Sequence, residues 1–379
     1  MLIGYVSASN PFADRKAWSG TIYKIREAIE LSGYEVRWIP YREDRLTRWY
    51  DKLLDYKERV TKKKFFRGVH SKFIARRYAH SIDKRLLEGC DYLFFPGGAQ
   101  ISLFLDTDIP VIYCADATVH SMIDYYWSGY HEKSIAEAKT LEEKACQHSS
   151  IVLKSSEWAL KSSIEDCHAN AQKCHVLKFG YNIDKKDIIP INPYQGGPID
   201  ILFSGVEWER KGGAIAVEAT KLLRANGIDA HLTICGPRQV PEYVKVLEYV
   251  TCFGFLNKNN PLEYHKYIEI WRNCHLLLLP TKAECAGIVF SEAAAFGMPV
   301  YTYATGGTTD YVLNDYNGYA FPPTSQAEDF ARKIEDDIKF KRIETYHHNA
   351  LLLCTEELSW EAFSRRFKDI MEKMEEQDS

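Results

Sequence analysis

Short apolar runs alternate with amphipathic segments along almost the whole of this chain, and several runs are too apolar to be surface strands. LIGYVSA, YEVRWIP, DYLFFPGG, PVIYCAD, SSIVLKSS and CHVLKFG read as strands, with helices expected over 20–31 and at EWALKSSIED. A strand buried on both faces must have cover on both faces, so this alternation means a parallel sheet with helices on either side. The pattern breaks at DKKDIIPINPYQGGP (184–198), which is rich in Pro, Gly and polar residues. It then restarts with IDILFSG, a helix expected over 211–226, AHLTICG, YVTCFGFL, HLLLLPT and PVYTYAT, and ends in an amphipathic tail, SWEAFSRRFKDIMEKMEEQ. A chain of 379 residues exceeds one ordinary core. The expectation is two doubly wound, Rossmann-like α/β domains in tandem: 1–185, a linker at 186–198, then 199–358, with a C-terminal helix over 359–379.

Composition narrows the functional classes. Apolar residues make up 46% and charged residues 26%, as in ordinary globular chains. The net charge of −4 conceals an asymmetry: residues 1–190 carry 29 Lys and Arg against 25 acids, the remainder 19 against 27. The first half is the better placed to meet an anionic partner. None of the ten cysteines forms a C-x-x-C pair, and Cys114, Cys235 and Cys252 lie in apolar runs, where cysteine acts as a small hydrophobe. The opening residues lack a signal-peptide pattern, and no apolar run reaches the roughly 18 residues that span a bilayer. These features place the protein in the cytoplasm with reduced thiols.

In parallel sheets of this kind ligands bind beyond the carboxyl ends of the strands. One such stretch, after HLLLLPT, is AECAGIVFSEAAAFGMPVYTYATGG (283–307). Glu284 and Glu292 flank apolar and small residues, and a carboxylate there needs partners. VFSEAAAF reads as a helix closed by Gly297 and Pro299, with Gly287 near its N-terminus. The free amides at Gly287, Ile288 and Val289 suit phosphate oxygens or hydroxyls. A carboxylate accepts from both hydroxyls of a vicinal diol. A capping and a surface glutamate would leave the same pattern.

E-x7-E after a buried strand, followed by A-x-G-x-P-V and A-T-G-G, resembles the donor signature of glycosyltransferase family 4, retaining enzymes of GT-B fold that use nucleotide sugars. SGVEWERKGG (204–213), GGTTDYVLNDYNGYAFPP (306–323), SSEW (155–158) and FGYNID (179–184) resemble further segments of that family in the same order. The resemblance implies two domains facing across a cleft, with the tail helix crossing back to the first. It implies that Glu284 binds hydroxyls of the transferred sugar and that the amides of Ala286, Gly287, Ile288 and Val289 hold sugar and distal phosphate. Glu292 would take the ribose diol, and backbone near Gly254 and Phe255 the base. The donor would be a UDP- or GDP-sugar, a substrate and not a cofactor, and no metal is expected. Two departures stand out: Ala286 replaces a usual aromatic, and Val206 occupies the place of a usual Arg, the arginine here being Arg210.

Breaking a sugar–diphosphate bond leaves negative charge that fixed cations or a metal must meet. Arg210 and Lys211 follow a buried strand at a helix start, where a cation is disfavoured unless an anion is bound. In the first half, Gly20 and Thr21 open a helix after the first strand, in a pattern that fits either close approach of phosphate or an ordinary cap. Asp116 ends the PVIYCAD strand with His120 close behind. Asp116 suits positioning of acceptor or sugar and equally a helix cap, and His120 has no clear role. Lys57–Arg85 carries eleven Lys and Arg against Glu58 and Asp83, interleaved with Phe65, Phe66, Phe73 and Tyr78. Such a segment suits an anionic membrane surface or a lipid-linked acceptor, or a solvated excursion with its aromatics packed inward; nothing else points to nucleic acid. The expected activity is sugar transfer to a hydroxyl acceptor in cell-envelope or surface glycan synthesis. A sugar-nucleotide or glycan-binding protein, or a non-transferring enzyme such as an epimerase, uses the same scaffold.

Overall fold

The computed structural model describes residues 1–378, and its strands form two six-stranded sheets in which every pairing is parallel. The first comprises β1 (Leu2–Ser7), β2 (Glu35–Pro40), β3 (Tyr92–Pro96), β4 (Val111–Ala115), β5 (Ile151–Lys154) and β6 (Cys174–Val176), in the order β2-β1-β3-β4-β5-β6. The second comprises β7 (Ile199–Ser204), β8 (Ala230–Cys235), β9 (Val250–Gly254), β10 (Leu276–Leu279), β11 (Val300–Tyr303) and β12 (Gly318–Phe321), in the order β12-β11-β10-β7-β8-β9. β3, β4, β5, β10 and β11 are buried along their whole length, which is why they read as mainly apolar runs instead of alternating ones, with Lys154 and Thr302 as the exceptions.

Residues 1–178 together with 364–378 form one unit and residues 179–363 the other. The division thus falls between Lys178 and Phe179, ahead of the Pro- and Gly-rich stretch. That stretch forms a short 3-10 turn at Lys185–Asp187 and then runs irregularly up to β7. The last helix, Trp360–Asp378, belongs to both units by residue count. Its Phe367 packs edge-on against Tyr34 and Phe94 of the first unit.

The sequence reading missed β12, because NGYAFPP looks like a loop. Gly318 makes this strand possible: its φ is +148°, and a Cβ there would stand 1.9 Å from the Val300 carbonyl oxygen. The 57–85 excursion is also not one segment. A helix runs Arg45–Thr61 and ends where Lys62 turns left-handed; a second runs Lys72–Ser81. Of its aromatics, Phe66 stacks on Tyr130, Tyr78 meets Tyr41, Phe73 meets Tyr50, and Phe65 stacks on His131. They pack inward.

The helix that carries Glu292, Ile288–Phe296, ends at Gly297 with φ +75°. His347 closes that end, its Nδ1 2.8 Å from the Gly297 carbonyl oxygen. Burial holds the His347 imidazole below its ordinary pKa, so the folded protein keeps it neutral. As pH falls through about 6.5, the unfolded chain takes up a proton that the native state refuses, so this stability is full above that pH and lost below it. Thermal melts should therefore show Tm falling from neutral pH to about pH 5.5, with a shallower fall in His347→Gln. An identical fall in that variant would exclude His347 as a contributor.

Candidate functional site

In the second sheet β7 lies between β8 and β10, so the chain leaves β7 in one direction along the sheet and later returns on its other side. Loops leaving such a pair of strands part and open a crevice. Lys211 lies in the loop after β7 and Glu284 in the loop after β10. The Lys211 ammonium donates to the Glu284 carboxylate across that point, and their side chains are only 10% and 13% exposed.

Glycines set this geometry. A Cβ on Gly205 would lie 2.9 Å from Lys211 Cγ, so its absence lets the lysine stem lie against the strand end. Gly212, at φ +77°, comes so near β10 that a Cβ would stand 2.1 Å from the Pro280 carbonyl oxygen. The helix after it begins at Gly213, two residues later than the sequence reading placed it, so Lys211 precedes the helix. Arg210 ties the two loops together. Its Nη1 donates to the Ala283 carbonyl at 2.8 Å and its Nη2 to Glu207 at 2.7 Å, while its own carbonyl accepts from the Lys282 amide at 2.8 Å.

The helix beyond Glu284 starts at Ile288 with Gly287 as its N-cap at φ +63°; a Cβ at Gly287 would strike the Phe290 ring at 2.3 Å. The amides of Ile288 and Val289 have no carbonyl one turn back to bond, and Ala286 is buried just before them. Glu292 is in a different state from Glu284. Its Oε1 accepts from Lys258 Nζ at 2.6 Å and its Oε2 from the Tyr267 hydroxyl at 2.7 Å, with the side chain 4% exposed. Burial and then the Glu292 charge push the Tyr267 hydroxyl far up, so it stays a donor. Lys258 escaped the sequence reading; its signal was a lone cation in the polar loop after β9. Nearby, Gly254 accepts from the Gly236 amide at 2.8 Å, and Arg238 sits 4.8 Å over the exposed Phe255 ring. Glu284, Lys211, Gly287, Glu292, Gly254 and Phe255 thus all lie at the carboxyl edge of one sheet.

The first unit has its own switch point between β1 and β3, and a pocket of about 390 Å³ lies there. Ser7, Gly97, Gly98, Asp116 and Thr118 come from the strand ends, with Trp18, Tyr41, His70, Met122 and Trp127 as larger walls. Trp18 and Ser19 take left-handed backbone, φ +49° and +57°, immediately before Gly20 at +95°. Two non-glycine residues in that region store strain. The turn aims the Trp18 indole N–H at Asp116 Oδ2, 3.3 Å away. Gly20 caps and Thr21 begins the following helix, while Ala17, Trp18 and Ile22 line the pocket. His120 is directed elsewhere, with Nε2 3.3 Å from Glu143 and Nδ1 3.8 Å from Cys167 Sγ. The histidine at the pocket is His70, hidden in the basic segment where charge and aromatics drew attention. Its Nδ1 is shut off from solvent with no hydrogen-bond partner among the described residues, and burial lowers its pKa. Behind it Glu142 is fully buried, accepting from the Tyr113 hydroxyl at 2.6 Å and from the Val119 amide.

Gly212 offers a direct test of how the second-unit site is held. Gly212→Ala should cost on the order of 1–3 kcal/mol from its positive φ alone, with more from the Pro280 contact. Differential scanning calorimetry should then find Tm several degrees lower, whereas an unchanged Tm would mean the loop does not bear on β10.

Residues 184–350 match the family model of "Glycosyl transferases group 1". A D-inositol 3-phosphate glycosyltransferase of Xylanimonas cellulosilytica is 27% identical over 159 residues, a stretch covering 39% of this chain and 37% of that protein. The chain thus spans little more than a third of the length of that relative. Among solved structures, a sucrose-phosphate synthase from Thermosynechococcus elongatus superposes with a TM-score of 0.70 at 15% identity, over 98% of each chain. The Anabaena HepE protein, solved in complex with UDP-glucose, gives 0.63 at 16% identity, over 99% of this chain and 100% of that one. At such identities these likenesses speak to the fold, two tandem parallel α/β sheets of GT-B type. The pattern of the glycosyl transferases group 1 family is carried by residues 184–350 of this chain.

Proposed function

We propose that this protein transfers a sugar from a nucleoside-diphosphate sugar to a hydroxyl acceptor, with retention of anomeric configuration. The observation that carries this reading is the Lys211–Glu284 pair at the β7/β10 switch point. A nearly buried ion pair is stable only while each charge has a partner. A sugar diphosphate offers replacements for both at adjacent positions, hydroxyls for the carboxylate and phosphate oxygens for the ammonium. When the bond from the anomeric carbon to the diphosphate oxygen breaks, the electron pair stays on the diphosphate. Lys211 and the amides from Ala286 to Val289 take up that charge without a metal, and Arg210 keeps the two loops in register. No side chain is assigned as nucleophile: the departing phosphate accepts the acceptor's proton as its hydroxyl attacks from the same face.

The ribose lies toward Glu292, where Lys258 and Tyr267 already hold the carboxylate, so the diol either uses its remaining lone pairs or displaces Lys258. The base packs near Gly254 and Phe255. The acceptor occupies the pocket of the first unit, with Asp116 and His70 receiving its hydroxyls and Trp18 positioned by Asp116. The UDP-glucose complex of the HepE neighbour supports a nucleotide-sugar donor, taken here as a UDP- or GDP-sugar, and the inositol phosphate relative supports a polyhydroxylated acceptor. We place the reaction in surface or envelope glycan synthesis, in the cytoplasm at the inner face of a membrane.

Glu284→Gln keeps a hydrogen-bonding partner for Lys211 but removes the charge. Transfer, followed as nucleoside diphosphate released with a UDP- or GDP-sugar and glycan acceptors, should fall about 10²–10³-fold with the fold intact. Turnover at the wild-type rate would remove Glu284 from the mechanism. Titration calorimetry with UDP and GDP should find affinity for Lys211→Met at least about tenfold weaker, and unchanged affinity would end the phosphate role of that lysine.

A further inference from the structure

The Arg45–Thr61 helix is held to the first unit by one face only. Thr47 and Leu54 are buried, Tyr50 meets Phe73 at 4.5 Å, and Arg67 gathers Asp51, Asp55 and Glu58. Those are all the acids of the helix. The opposite face exposes Leu46 at 51%, Trp49 at 60%, Tyr56 at 65% and Val60 at 64%. At 3.6 residues per turn these four fall on one stripe, with the half-buried Leu53 between them. Arg45, Arg48, Lys52 and Arg59 line one side of the stripe and Lys57 the other. Lys62, Lys63 and Lys64 continue the charge beyond the helix end and are all exposed.

A soluble surface rarely leaves two aromatics and two aliphatics open along one stripe without an occupant. The charges select that occupant. Residues 45–64 carry eight Lys and Arg against three acids, and all three acids are spent on Arg67. A second copy would bring the same cations face to face, which is repulsive, whereas an anionic bilayer neutralises them. Trp and Tyr sit well at headgroup depth, with Leu and Val reaching below them. We propose that the outer face of the Arg45–Thr61 helix lies in the plane of an anionic phospholipid membrane and holds the protein there peripherally. This names the surface for the membrane placement given above and does not depend on the donor site. It shares the cations of 57–64 with the 57–85 segment to which the sequence reading looked, and takes its exposed apolar residues from 46–60.

Vesicle co-sedimentation of the full chain tests it, with phosphatidylcholine alone against vesicles containing roughly 30% phosphatidylglycerol. Binding is expected only to the anionic vesicles, falling at least about tenfold near 0.5 M salt. The triple variant Trp49→Ser, Tyr56→Ser, Val60→Ser should weaken it about tenfold or more, as should Lys52→Glu, Lys57→Glu, Arg59→Glu. Because all six side chains are exposed or solvent-facing, Tm and donor turnover in solution should be unchanged. No binding to anionic vesicles at low salt would overturn the proposal, as would full binding by either variant. A wild-type dimer in sedimentation velocity that the triple serine variant dissociates would overturn it in favour of a second copy.

Discussion

An ammonium and a carboxylate withdrawn from water must stay partnered, and in the second unit that requirement organises the site around Lys211 and Glu284. Everything nearby serves to bring the two together. Gly205 and Gly212 remove the side chains that would push the lysine loop off the strand ends. Arg210 then fastens that loop to the one bearing Glu284 through the Ala283 carbonyl. The pair forms where strand order reverses, because only there do two adjacent loops diverge enough to leave room for a ligand.

The two glutamates of E-x7-E are chemically identical, and the fold makes them different. Glu284 precedes the helix, in the loop after β10, and pairs with Lys211 across the switch point. Glu292 sits inside the helix, gripped on one oxygen by Lys258 and on the other by Tyr267. The first joins the loop after β7 to the loop after β10. The second is suited to holding the Ile288–Phe296 helix against the loop after β9, and with it the amides at the helix start. Gly287 and Gly297, both left-handed, bracket that helix, and His347 closes its far end.

The first unit uses strain where the second uses charge. Trp18 and Ser19 are held in left-handed backbone, and the return is a tryptophan wall over the pocket with its N–H on Asp116. On the outside of the same unit, the Arg45–Thr61 helix sorts its residues into three strips. Acids face Arg67, apolar residues face both the core and the open side, and cations flank the open stripe.

Much of this was legible in the sequence, for a definite reason. Eleven of the twelve strands stand out as apolar or alternating runs bounded by turn residues, most plainly the five buried along their whole length; β12 was hidden because its four residues lie between Asn317 and Pro322 and so look like part of a turn. Glycine and charge after a strand end mark ligand loops, which brought Lys211, Glu284 and Gly287 forward. Partnership is another matter, because it depends on residues distant in the chain. That Glu292 is shared by Lys258 and Tyr267, that His70 and not His120 reaches the pocket, and that Phe66 is buried while Trp49 and Tyr56 stay exposed were decided only by tertiary packing. Local spacing fixes which way a side chain can point along its own helix or strand; what waits for it there is set by elements tens of residues away.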